Sequence, residues 1–442
     1  SACRAGLSPD PPPRMSGFSP AFGTVGTPTY EERCGEQNWL ERVFAMNLSS
    51  TMSKIQESST LKFAGRAKEM QAKGIDVIAL SAGELDCASP VAAKKAGNAA
   101  IDSDFTRYTI NCGLMELRQL IAQKLKEENN LDYAPDQILV SHGAKQSMFN
   151  VLYSLCSPGD EVIIFSPYWT TYPQQVKMCG ASPVIVPTYP DNDYQIDESA
   201  LRSCMTSRTR VMIVNSPNNP TGAVYSAESL ATIAKLAIEY DCWMLSDEIY
   251  EKIVFNPTTH LSPLNIEPRL KERAVVVNGF SKSYAMTGWR IGYSAGPKAV
   301  IEAAGVVQGH TTSNACSISQ KAAIACLKDD RDFARGVMPH LESNRDIAME
   351  ILGSIDGLSC SAPRGAFYVF PWIEKFVGRK FGSTVLKSAE EIVYYLLNEK
   401  HVAVVPGEGF GVEGAFRVSF AGSESELREG CMRIKKGLEG LG

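Results

Sequence analysis

From Ile138 onward the chain alternates short apolar runs with longer stretches whose apolar residues recur every three to four positions. The first run, in "QILVSHG", has the length of a strand, and "AKQSMFNVLYSLC" after it has the period of a helix. "DEVIIFSP", "SPVIVPTY" and "TRVMIVNSP" read as further strands; "SAESLATIAKLAIEY" reads as a helix leading into the strand "CWMLSDE", and "AVVVNGFS" and "WRIGYSAG" close the series. Strands alternating with helices predict an α/β chain with a mostly parallel sheet covered by helices on both faces. In such a sheet a ligand sits beyond the carboxyl ends of the strands. The polar residues that end these runs are Ser141–Lys145, Tyr168–Trp169, Asn215–Asn219, Asp247–Tyr250 and Ser281–Lys282, so five strand ends are expected to meet at one crevice.

The rest of the pattern predicts a smaller α+β domain, residues 47–88 with 327–442, beside a large domain of residues 89–326. Its pieces are a helix after Met338, a hairpin-like "GAFYVFPW", a helix in "SAEEIVYYLLNEK" and a last helix after Ser423; "GEGFGVEG" reads as a turn. Residues 1–46 show neither period and are rich in Pro, Ser and Gly ("SPDPPPRMSGFSP"), which predicts a disordered extension. As part of a transit peptide it would send the chain to the plastid stroma, although Asp10, Glu31, Glu32, Glu36 and Glu41 are more acid than such segments carry. As a plain extension it would leave the chain in the cytoplasm.

Composition narrows the class. Hydrophobic residues are 44% and charged residues 21% of 442, ordinary for a globular chain. The formal charge is -5 with acids and bases interspersed, which points away from a nucleic-acid or membrane surface. No run approaches the ~20 apolar residues of a membrane span. Twelve cysteines are spread from Cys3 to Cys431 without a C-x-x-C pair, and the five histidines stand far apart, so neither a disulfide framework nor a metal site is expected.

A few segments then stand out as chemistry. "GFSKSYAMTGWRIGY" puts Ser281 and Lys282 just after an apolar strand, with Arg290 eight residues beyond the lysine. A lone lysine is usually a solvated surface amine. A sheltered one at a strand end can lose its proton and condense with an aldehyde, and a planar guanidinium nearby suits a phosphate. In "LSDEIYE", Asp247 ends a strong apolar strand and Tyr250 follows three residues later. An acid and a phenol so placed could hold a pyridine nitrogen protonated and tune a phenolic oxygen, whereas alone they would be an exposed acidic turn. In "NSPNNPTGAVY", Asn219 precedes Pro220 in a turn sequence, and a cis bond is expected between them. In "SHGAKQS" the strand-to-helix junction is expected to expose the amides of Gly143, Ala144 and Lys145, an anion site at a helix start. "FSPYWTTY" offers Trp169 to stack on a ring, and "FRVSFA" offers Arg417 to clamp a carboxylate.

In this order the segments resemble class I aminotransferases, pyridoxal-5'-phosphate (PLP) enzymes of fold type I. Among these the chain is most similar to the prokaryotic-type aspartate aminotransferases and the plant plastid enzymes acting on aspartate and prephenate. "FTRYTINCGLMELR", "KLKEENNLDYAPDQILVSHGAKQS" and "VNGFSKSYAMTGWRIGY" carry the likeness, which runs from about Asn47 to the C-terminus. The resemblance implies that Lys282 bonds the cofactor and moves a proton, that Asp247 pairs with the pyridine nitrogen, and that Tyr250 and Asn219 meet the phenolic oxygen. It implies a phosphate held by Gly143, Ala144, Lys145, Ser281, Arg290 and the partner subunit's Tyr108, hence a homodimer. Gly83, Trp169, Asn219 and Arg417 would receive an α-carboxylate. Lys145 and Thr60 would meet a distal carboxylate, favouring dicarboxylic amino acids and 2-oxo acids as substrates.

The sequence departs from the family at "GELDCASP", with Leu85, Cys87 and Ala88 where a Pro, an aromatic and an acid are usual, and at Arg364 before "GAFY". These positions are expected near the substrate entrance. Two other functions fit the same cofactor residues: a β-lyase or aminocyclopropane-carboxylate-forming reaction, and a PLP-binding protein without turnover.

Overall fold

The computed structural model describes residues 49–442; the expected extension over residues 1–46 lies outside them. Residues 54–442 form one compact unit, and of the other unit, residues 1–53, only 49–53 are described.

A seven-stranded sheet organises the compact unit. Its strands are β1 (Ile138–Ser141), β2 (Glu161–Ser166), β3 (Ser182–Pro187), β4 (Thr209–Asn215), β5 (Trp243–Asp247), β6 (Ala274–Gly279) and β7 (Gly292–Ala295). They lie in the order β1-β7-β6-β5-β4-β2-β3. The pairs β2/β3, β2/β4, β4/β5 and β5/β6 are parallel, and β7 runs against both its neighbours. Every residue of β1, β2, β6 and β7 is buried, which is why these segments read as unbroken apolar runs. Successive side chains point to opposite faces. Ile163 and Phe165 of β2, with Met212 and Val214 of β4, enter one apolar cluster. Val162, Ile164, Val211 and Ile213 enter the other.

Helices follow where the period of three to four predicts them, among them α1 (Ala144–Leu155) and α2 (Ala227–Glu239). Ser226, Ser388 and Ser423 each accept a backbone N–H at the start of a helix, so the predicted starts coincide with local caps. Among the described residues no helix is long and apolar enough to cross a membrane.

A second, antiparallel sheet has β8 (Tyr368–Val369) and β9 (Val405–Pro406) on either side of β10 (Phe416–Ser419). Here the expected hairpin in "GAFYVFPW" is corrected. Tyr368 and Val369 pair with Ser419 and Val418 rather than with their own neighbours. The segment lacks the Asn-Gly or Asp-Gly pair that a tight hairpin turn needs, while Phe370 packs with Phe410 and Trp372. Ile78–Ala79 pairs in parallel with Val402–Ala403, joining the early segment to the C-terminal part. The helix Ser317–Asp329 runs unbroken through the expected boundary at 326/327.

Candidate active site

All five strand ends singled out above open on one cavity of about 460 Å³. Ala144 and Lys145 reach it from beyond β1, Trp169 from beyond β2, and Asn215 and Asn219 from β4. Asp247 and Tyr250 come from β5, Ser281 and Lys282 from beyond β6. Arg290 joins them because β7 is antiparallel, so its leading end lies with the other strands' trailing ends. The opposite wall comes from Ser81–Glu84, from Tyr368 and Arg417 of the second sheet, and from Thr60, Leu61, Ala64 and Lys68 of the helix Ser59–Ala72.

Lys282 is half-buried and donates to the Gly83 carbonyl. Its ammonium is held down to about 8, first by burial and then by the nearby Arg417, with Glu84 partly opposing. Asp247 is 3% exposed, and burial pushes its carboxyl up to about 6. The Tyr172 hydroxyl donates to Asp247 Oδ2 at 2.8 Å and the Ile249 amide to Oδ1 at 3.2 Å, so the carboxylate is oriented from both oxygens. Tyr250 is buried, its hydroxyl 2.9 Å from that of Tyr368.

Several cations line the cavity without an ion-pair partner among the described residues. Arg417, 1% exposed, donates from Nη1 to Asn219 Oδ1 at 2.9 Å and from Nη2 to the Ser81 carbonyl at 2.8 Å. Its Nε has no hydrogen-bond partner and no carboxylate pairs with it among the described residues, so a buried charge lining the cavity is left without a counter-ion. A planar fork in that state suits a carboxylate. Lys145 Nζ lies 5.0 Å from the Trp169 ring centroid, and its ammonium is lowered by burial and by Arg290. The buried Thr60 hydroxyl, also at this wall, has no hydrogen-bond partner among the described residues.

An anion cradle sits at the start of α1. The amides of Ala144 and Lys145 meet no acceptor among the described residues. Gly143 caps the helix at φ +83°, where a Cβ would come 2.8 Å from Arg290 Nη2. Only glycine lets that guanidinium lie against the helix start. Arg290 itself adopts φ +52° and is anchored by the Thr287 carbonyl at 2.8 Å. A neutralisable amine, a deep oriented acid and a cationic, amide-lined cradle together fit PLP.

Several expectations change. The Gly143 amide turns back to the Ser141 carbonyl at 2.8 Å, so it is spent on the turn and is not free in the cradle. Asn219–Pro220 is not a cis bond; the cis bonds are Ser166–Pro167, Ser216–Pro217 and Asn256–Pro257. The reversal there is made by Asn218, whose Oδ1 accepts from the Thr221 amide and hydroxyl, and by Gly222 at φ +69°. Tyr108, expected to serve the partner subunit's site, is 90% exposed and does not line this chain's own cavity, which leaves that expectation as it stood. The four departures from the family pattern do not line the cavity either. Cys87 and Ala88 border a separate groove with residues 328–333 and 336–337, Leu85 is buried, and Arg364 pairs with Asp193. Sequence reasoning missed Tyr172 and Tyr368 as site residues, and it gave Asn215, one of its strand-end residues, no role of its own. Tyr172 lies three positions after Trp169, and Asn215 Oδ1 accepts from the Asn219 amide at 3.0 Å.

Comparison with known proteins gives the same picture. The family model "Aminotransferase class I and II" matches residues 75–434. A Petunia hybrida protein named bifunctional aspartate aminotransferase and glutamate/aspartate-prephenate aminotransferase is 43% identical over 402 residues, covering 89% of this chain and 83% of the relative. The crystal structure of the Rhizobium meliloti aspartate aminotransferase superposes with a TM-score of 0.85 at 40% identity, over 89% of this chain and 99% of that one. The Thermus thermophilus aspartate aminotransferase with maleate does so with a TM-score of 0.83 at 37% identity, over 88% and 99%.

Proposed function

We propose that this chain, a member of the class I and II aminotransferases, moves amino groups between dicarboxylic amino acids and 2-oxo acids with PLP as its cofactor. Aspartate and glutamate would be the donors and 2-oxoglutarate and oxaloacetate the acceptors, with prephenate to arogenate as a further pair. One observation carries the substrate class: the buried Arg417 guanidinium, with no carboxylate partner among the described residues, lies in the same cavity as Lys145 and Thr60. The Petunia relative is named for both aspartate and prephenate, and the Thermus structure holds maleate, a dicarboxylate.

When bound, PLP supplies an electrophilic aldehyde and a ring that accepts electrons. The chain supplies the rest. With its ammonium near 8, Lys282 keeps a share of neutral amine at neutral pH, enough to act as nucleophile and then to take and return the proton at the substrate α-carbon. Asp247, oriented by Tyr172 and the Ile249 amide, would stand against a ring nitrogen and keep it protonated. Tyr250 and Asn219 would donate to the phenolic oxygen. Ala144, Lys145, Ser281 and Arg290 would hold the phosphate. Arg417, with Asn219, Trp169 and Gly83 beside it, would orient the α-carboxylate; Lys145 and Thr60 would meet the distal one.

The fully exposed position of Tyr108 supports its use by a second copy, so a homodimer with shared sites belongs to the same proposal. So does a division into a large domain (89–326) and a small one (47–88 with 327–442). The test compares kcat/KM for oxaloacetate and prephenate as acceptors, with pyruvate as the monocarboxylic reference. In Lys145→Ala the preference for oxaloacetate over pyruvate should fall about 10- to 100-fold, the loss of one charge-assisted bond. Selectivity that survives intact would overturn the assignment of the distal carboxylate.

A further inference from the structure

Tyr368 touches both halves of the cavity. It is 1% exposed, on β8. Its hydroxyl lies 2.9 Å from that of Tyr250, and the Arg417 guanidinium lies 4.3 Å from its ring centroid. The two tyrosine rings meet edge to face at 5.9 Å and 81°. A Cβ on Gly83 would come 2.9 Å from the Tyr368 hydroxyl, so the glycine leaves the room in which that hydroxyl stands.

From this geometry, and resting on the function proposed above, we infer that Tyr368 is a positioning residue. Its hydroxyl aims the Tyr250 O–H at the cofactor's phenolic oxygen, and its ring holds the Arg417 fork in the plane that receives the α-carboxylate. The bookkeeping of donors requires it. Among the described residues each hydroxyl has the other as its sole hydrogen-bond partner. Once Tyr250 donates to the cofactor, its oxygen has one remaining neighbour able to donate, the Tyr368 O–H. The result is a chain, Tyr368 to Tyr250 to phenolic oxygen, in which each bond polarises the next. Burial pushes both phenols up, so both stay protonated and able to donate at neutral pH. Because the same ring carries Arg417, a carboxylate arriving at the guanidinium acts on the body that aims Tyr250.

The test is a pH titration of the visible absorbance of the cofactor-loaded enzyme. A donor held on the phenolic oxygen favours the deprotonated chromophore, so weakening that donor raises the midpoint. Tyr368→Phe, which keeps the ring, should raise it by about half a unit, and Tyr250→Phe by more. In a Tyr250→Phe background, Tyr368→Phe should add no further shift. Tyr368→Leu, which also removes the ring from Arg417, should raise KM for aspartate about tenfold, an effect Tyr368→Phe lacks. An unchanged midpoint in Tyr368→Phe, a full second shift in the double variant, or an unchanged KM in Tyr368→Leu overturns the inference. A wild-type protein with no pH-dependent visible band would instead overturn the function on which it rests.

Discussion

Residues 247–251 feed two buried charge clusters of opposite character. Asp247 and Tyr250 line the cavity, whereas Glu248 and Glu251 enter a network closed by protein groups. Glu251 pairs with Lys124, both side chains nearly inaccessible, and accepts from Asn129 at 2.5 Å. Glu248 accepts from the Ser246 and Ser262 hydroxyls at 2.8 and 2.7 Å and meets His260 at 3.1 Å. Burial alone would push the Glu251 carboxyl up, but Lys124 and the hydrogen bonds outweigh it and hold it at about 2. Burial disfavours the charged form of His260, yet the Glu248 bond and charge raise it. Glu248, Glu251 and His260 bring ligand atoms within 4.8 Å of one another, but the cation on Glu251 is the Lys124 ammonium. Across the same turn, Lys145, Lys282, Arg290 and Arg417 face the cavity with no ion-pair partner among the described residues. Charge closed on itself holds a fold; charge left open in a cavity is arranged for something that arrives.

The largest effect should come from breaking the open side. Lys282→Ala removes the amine proposed as nucleophile and proton carrier, and turnover of aspartate with 2-oxoglutarate should fall about 10⁵-fold or more, with loss of the visible absorbance. A substantially active variant would mean the cavity is not the reacting centre. Breaking the closed side should act on stability instead. Lys124→Met leaves the Glu251 carboxylate buried without its cation, and denaturant unfolding should register a loss of about 3–5 kcal/mol. In protein that remains folded, kcat should change by no more than about twofold. A stable Lys124→Met protein would show that the network carries no such charge.

How far the sequence disclosed this contrast depends on the kind of signal. The central sheet was legible because strands buried on both faces must be apolar throughout, as in "EVIIF" and "RVMIV". The residues at their ends were legible because the parallel run gathers them on one side, which needs no knowledge of loop shape. What depended on single backbone choices was not legible. The cis bond stands at Ser216–Pro217, three residues ahead of the expected one, in a loop where either proline satisfies the same turn rules. Tyr368 escaped notice because its strand pairs with residues about fifty positions later, a distance no local period encodes. Arg364 looked like part of the entrance by its neighbours in sequence, but it is drawn off to Asp193. Closed and open charges look alike in sequence, since "SDEIYE" gives no sign that its acids part company.

The same substitution on the open side should have the opposite sign, and pH should reveal why. In the cofactor-free protein Lys282 ionises near 8, well below its ordinary 10.5, because burial and Arg417 disfavour the ammonium. Between those two values the unfolded chain binds the proton and the folded chain does not, so wild-type stability rises with pH across that window. Below pH 8 the folded protein carries the whole cost of an ionised amine in the cavity. Lys282→Met has no such group and should be more stable than cofactor-free wild type at pH 7 by roughly 1–2 kcal/mol, after allowance for solvent reaching a half-buried amine. The gap should close as pH climbs from 8 toward 10.5, read from denaturant midpoints at successive pH values. Lys124→Met should show no comparable gain at any pH. If Lys282→Met proves less stable than wild type, or its advantage is flat across the window, the protein groups around the cavity already stabilise that cation, and the two clusters differ only in exposure.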